Sequence, residues 1–208
     1  MVYHRKYRFR RRPIRRRRYF RRRVPRNRFA FNNIRAMKLK SLRDIPTTAT
    51  GGIALTVNNL PSSVDGWAES LKLFDWYKVA AIKLTFIPSA TAIANQSYRA
   101  LIVWHDPNTI DTSAGATYQR AISYANSKIV NLQRKWKVYY KMAKTIAVGN
   151  STAAIMQDRY GYTGTDVALA TQSIGLFAVT PLTAVTTVGN LLITYHVLFK
   201  GQRYANVT

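Results

Sequence analysis

Fifteen cationic side chains crowd the first 28 residues: Arg5, Lys6, Arg8, Arg10, Arg11, Arg12, Arg15, Arg16, Arg17, Arg18, Arg21, Arg22, Arg23, Arg26 and Arg28, with no carboxylate among them. Such a run can neutralise a polyanion. Lys6 is the only lysine in it, and that choice matters. A guanidinium is always charged and bridges two phosphate oxygens with its fork of donors, so it suits dense phosphate better than an ammonium does. Rings are interleaved with the cations at Tyr3, Tyr7, Phe9, Tyr19, Phe20, Phe29 and Phe31. Unstacked bases of a single strand have free faces, and each base stacked on a ring contributes ~1–3 kcal/mol. Guanidinium and ring together predict a single-stranded nucleic acid held without sequence preference, since phosphate contacts carry no sequence information. Nuclear import is a second use for a polybasic run. Membrane adhesion fits less well, because the segment has no amphipathic period.

The basic character extends into the rest of the chain through Lys38, Lys40 and Arg43, and through Lys135, Lys137, Lys141 and Lys144. Lys38 and Lys40 join the candidate nucleic-acid-binding set. Lys135, Lys137 and Lys141 share one parity of their segment and so face one side. Lysines on edge strands also deter unwanted pairing, which is the plain alternative for this cluster.

Little else suggests a reaction. There is no cysteine, which removes disulfides, thiolate metal sites and cysteine nucleophiles and agrees with a reducing compartment. The three histidines are His4, His105 and His196, and the only glutamate is Glu69. His105, Asp106 and His196 are the one set worth testing as a metal site, although no further histidine or glutamate lies near either histidine in the sequence. Asp65, Asp75, Asp111, Asp158 and Asp166 are scattered among turn-like stretches. No paired carboxylates, serine elbow or glycine-rich phosphate loop stands out. The reading is a non-enzyme without cofactor or metal, with Trp67, Trp76, Trp104 and Trp136 as core or subunit-interface anchors.

These groups must be carried by a tail and a body. The chain has 208 residues and a net charge of +25, yet residues 1–28 hold 15 of the 33 Lys and Arg while all 8 acids lie beyond them. Like-charge repulsion and a shortage of aliphatic residues leave residues 1–28 unable to offset their ordering entropy, so a disordered arm is expected. Residues 29–208 suffice for one domain. No apolar run approaches the ~20 residues of a membrane helix, and the tail lacks the apolar middle of a signal peptide, so a soluble intracellular protein without membrane insertion is expected.

Alternation with period two dominates the body. In IVNLQRKWKVYYKM (129–142), Val130, Leu132, Trp136, Val138, Tyr140 and Met142 share one parity. Fourteen residues would span ~45 Å as one strand, so two strands meeting near Arg134 and Lys135 are predicted. Residues 189–200 put Leu191, Ile193, Tyr195, Val197 and Phe199 on one face and His196 on the other. In WYKVAAIKLTFI (76–87) the apolar parity switches from Tyr77 and Val79 to Ile82, Leu84 and Phe86, which predicts a bulge at Ala80 and Ala81. Further strands are predicted at 36–43, 53–59, 98–105 and 172–180. Tyr118, Ala121, Ile122 and Ala125 follow helical spacing and predict one short helix. The predicted fold is therefore all-β: a single eight-stranded antiparallel jelly-roll sandwich with a disordered arginine-rich N-terminal arm and one short helix.

The tail resembles the arginine-rich arm of capsid proteins from circoviruses and related small viruses with circular single-stranded DNA. The resemblance continues through FDWYKVAAIKLTFIPSA (74–90), similar to a bulged basic strand ending in proline, YRALIVWHD (98–106), and LITYHVLFKGQRY (192–204), similar to the final strand with its basic exit. It implies an icosahedral shell of sixty copies, found in the virion and in the host nucleus during infection. The arm would lie inside on the DNA genome, the Lys135–Lys144 cluster would line the inner wall, and host import and attachment factors would be further partners. Sixty copies at +25 each would neutralise ~1,500 phosphates, matching a genome of a kilobase or two. The residues themselves leave two other readings open: a coat protein of a small RNA or satellite virus, and a cellular basic nucleic-acid-binding protein.

Overall fold

A computed structural model describes residues 34–49, 51–90, 100–106, 118–142, 161–165, 172–179 and 186–202. Nine strands lie among them: β1 (Arg35–Pro46), β2 (Gly52–Asn58), β3 (Phe74–Pro88), β4 (Leu101–Asp106), β5 (Lys128–Val130), β6 (Trp136–Lys141), β7 (Thr163–Gly164), β8 (Ser173–Val179) and β9 (Thr187–Gln202). Two helices accompany them, α1 (Trp67–Leu73) and α2 (Tyr118–Ser123).

The strands form two antiparallel sheets. One has the order β1-β9-β3-β6, with β7 paired to β3, and the other has the order β2-β8-β4-β5. Successive strands from β1 to β4 alternate between the two sheets, and every pairing is antiparallel. This is the double-sheet jelly roll expected from the alternating segments. Ile45, Ile82, Leu84, Phe86, Leu191, Val197 and Phe199 of the first sheet meet Ile53, Leu101, Val103, Ile174, Leu176 and Ala178 of the second in one buried core. A hydroxyl also crosses that core: Tyr140 on β6 donates to the Val103 carbonyl of β4 at 2.8 Å and lies 3.2 Å from the Asn126 carbonyl.

The bulge falls where the parity switch puts it. Val79 pairs with Val197 and Ala81 with His196, so Ala80 is the extra residue between two consecutive partners. The split of 129–142 also holds, with β5 and β6 separated at 131–135.

Three features differ from the sequence reading. The two-residue strand β7 raises the count to nine, since a pair this short leaves no alternation to detect. Helix α1 was not foreseen, because seven residues give under two turns of periodicity; it buries Trp67 and Ser70, and left-handed Gly66 (φ 80°) precedes it. In α2 the expected apolar face is not the buried one. Ala121 is buried, but Ile122 is 51% exposed and Ala125 is exposed. The helix instead covers the far side of the second sheet, where Ala121 and Tyr124 pack on Ile102 and Trp104. There the Trp104 indole lies across Gly175, where an added Cβ would come within 2.2 Å of the ring.

Candidate nucleic-acid interface

The arm residues Arg5 to Arg28 lie outside the described residues, as do His4, Lys144, Asp111, Asp158 and Asp166. Lys38 and Lys40 are placed, both exposed on β1. Alternation fixes their direction. Leu39, between them, enters the core, so Lys38 and Lys40 point away from it.

Strand register then assembles a face that no single segment shows. Across the first sheet, one row reads Lys38, His196, Ala81, Lys141, and the next reads Lys40, Thr194, Lys83, Tyr139. A third row reads Leu42, Leu192, Thr85, Lys137. These twelve positions hold five lysines and no carboxylate. The bulge helps to set this arrangement, because after Ala80 it turns Ile82 and Leu84 inward and Lys83 outward. Lys137 and Lys141 of the second lysine cluster therefore do share a side, and Lys135 is exposed just before β6.

Two rings meet on this face. Tyr139 and His196 are edge-to-face with centroids 5.8 Å apart. Ala81, the small residue of its row, is 1% exposed although it is directed away from the core. The His196 imidazole is pushed below its ordinary pKa, first by burial and then by the charges of Lys38 and Lys83. Positive potential thus converges on this ring. Towards the other end, Lys78 and Lys200 both sit over the Tyr162 ring, at 5.9 and 5.7 Å. Lys83 and Tyr139 were not singled out as candidates from sequence, and His196 was singled out only as a metal ligand. Their polar parity was visible, but only pairing across strands gathers them with Lys38 and Lys40.

The set tested as a metal site is not brought together. His105 and Asp106 end β4 in the second sheet, whereas His196 is on the outward side of β9 in the first. His105 is 6% exposed, and its Nε2 lies 3.1 Å from Gln172 Oε1. Asp106 accepts a hydrogen bond from the Tyr124 hydroxyl at 2.9 Å. Among the described residues no group of three potential ligands is gathered, and no helix is long and apolar enough to cross a membrane. Trp67 and Trp104 are buried as expected.

Comparison with known proteins adds to this geometry. No curated protein matches the sequence. Solved structures share its fold: a 60-mer of BFDV capsid protein at 14% identity and TM-score 0.61, covering 86% of this chain and all of the other. Cocksfoot mottle virus gives 11% identity and TM-score 0.57, covering 82% of this chain and 97% of the other. Mud crab tombus-like virus gives 14% and 0.56, covering 84% of each chain. At such identities these likenesses concern the fold alone. The model of the circovirus capsid protein family, by contrast, matches residues 4–203, nearly the whole sequence, arm included. The chain belongs to the circovirus capsid protein family.

Proposed function

We propose that this coat protein assembles with copies of itself into a closed icosahedral shell and packages circular single-stranded DNA through its basic arm. Lys38 and Lys40 continue the arm's charge onto the folded body. The observation that carries the reading is the pairing of two parts: an acid-free run of 15 cations and a jelly-roll body within one capsid-family match over residues 4–203. The arm supplies charge without sequence preference, which suits a partner as long as a genome. Sixty subunits, the number in the solved BFDV capsid protein 60-mer, would carry ~1,500 positive charges, one per phosphate of a genome of that many nucleotides. The same arm would serve as a nuclear localisation signal before assembly.

Purified particles test this directly. Electron microscopy should show closed shells, and the nucleic acid released on disassembly should be destroyed by DNase and survive RNase. The reverse nuclease pattern would assign an RNA genome, and a monomer without nucleic acid would remove the packaging role altogether.

A further inference from the structure

The lysines of the first sheet are not all explained by edge protection. Charge on an edge strand deters pairing, which accounts for Lys38 and Lys40 on β1 and for Lys137 and Lys141 on β6. Lys83 is different, because β3 is paired to both β9 and β6 at that position. His196 likewise sits on β9 between β1 and β3. The charge therefore runs across the middle of the sheet, where no edge needs guarding.

Next to this charge, on the edge strand β6, is an available ring. Tyr139 is 48% exposed. It has Lys83 across the strand and Lys137 and Lys141 two residues away on its own strand, while His196 has Lys38 as its cross-strand neighbour. Neighbouring strands lie ~4.8 Å apart and alternate residues of a strand ~7 Å apart, so the cations stand on both sides of the ring pair within the reach of one or two nucleotides. A sheet face with a half-exposed ring on its edge strand and cations beside it and across the sheet is a layout that accepts unstacked bases and their phosphates together.

We propose that this sheet face is a nucleotide-binding site of the folded body, separate from the arm. A base of a single-stranded nucleic acid stacks on the Tyr139 ring on β6, Lys83, Lys137 and Lys141 hold the phosphate beside it, and Lys38 and Lys40 on β1 hold the strand further along the sheet. The inference rests on the reading of this chain as a packaging coat protein and adds where on the body the strand is held. The pKa of His196, depressed first by burial and then by Lys38 and Lys83, agrees with it in the second of these causes, since a phosphate would relieve the positive potential of the two lysines.

Photocrosslinking of the full-length chain to a single-stranded oligothymidylate carrying 5-iodouracil tests the site. Trypsin cuts after Lys137 and Lys141 and releases Val138–Lys141, which holds the half-exposed Tyr139 beside the buried Tyr140. The expected adduct is on Tyr139 and not on Tyr140. Tyr139→Phe should retain an adduct in this peptide, Tyr139→Ala should lose it, and Lys38→Gln combined with Lys83→Gln should lower its yield about tenfold at moderate salt. Adducts confined to the arm rings, such as Tyr3, Tyr7 and Tyr19, would overturn this site while leaving packaging by the arm intact. An oligonucleotide that is not retained at all would overturn both.

Discussion

Tyr140 and His105 show how single polar groups are handled inside this β-sandwich. The Tyr140 hydroxyl ties β6 to the Val103 carbonyl of the opposite sheet, and burial pushes its pKa well above the ordinary tyrosine value. Tyr140→Phe keeps the ring and deletes the tie, so it should cost about 1 kcal/mol of unfolding free energy; denaturant titration measures this. His105 is held below its ordinary pKa of 6.5 mainly by burial, partly offset by the bond to Gln172 and by the charge of Asp106. The unfolded chain then takes up a proton at higher pH than the folded one. Stability should accordingly be level above pH 6.5 and decline as pH falls from 6.5 towards the folded-state value. Melting temperatures between pH 8 and pH 5 should show that decline, and it should be smaller in His105→Gln. His196 contributes in the same direction. The sequence placed His105 at a strand end and His196 on an outward face, and both placements hold. It could not show that His105 faces Gln172, because that partner is 67 residues away, just ahead of β8.

At the scale of elements, period two carried the prediction. The strands were legible because alternation is local, and the bulge was legible because alternation breaks at Ala80 and Ala81. The partners of Val79 and Ala81 are consecutive residues of β9, so β3 without Ala80 alternates cleanly and keeps its register. Deleting Ala80 should therefore be tolerated, at about 1 kcal/mol for the lost bond from the Met142 N–H to the Ala80 carbonyl. Deleting Lys83 should not be tolerated, since it turns the fully buried Leu84 and Phe86 to the outer face. Soluble yield and thermal melting of the two deletions separate these outcomes. What stayed hidden was short or non-local. Helix α1 and strand β7 are too brief for a period to register. The order β1-β9-β3-β6 is a matter of pairing between distant segments, those joined through β9 more than a hundred residues apart, and with it went the view of Lys83, Tyr139 and His196 as parts of one face with Lys38.

For the whole molecule, charge and core are carried by different parts of the chain. Residues 1–28 hold 15 of its 33 basic residues, so their removal lowers the net charge from +25 to about +10 while leaving the buried side chains of both sheets in place. The truncated chain should melt within a few degrees of the full one yet fail to package nucleic acid, as particle density and extracted DNA would show. For the full chain, affinity for single strands should fall steeply with salt, with a log–log slope near 0.7 for each phosphate neutralised. Topology also imposes a timetable. Strand β9, the last of those described, lies between β1 and β3 and pairs with both. On the ribosome, β1 and β3 emerge first, and until β9 follows β1 has no partner in the sheet and β3 keeps one flank open. Completion of this sheet is thereby deferred to late synthesis, and a nascent chain interrupted before β9 would present two unguarded strands to any neighbour.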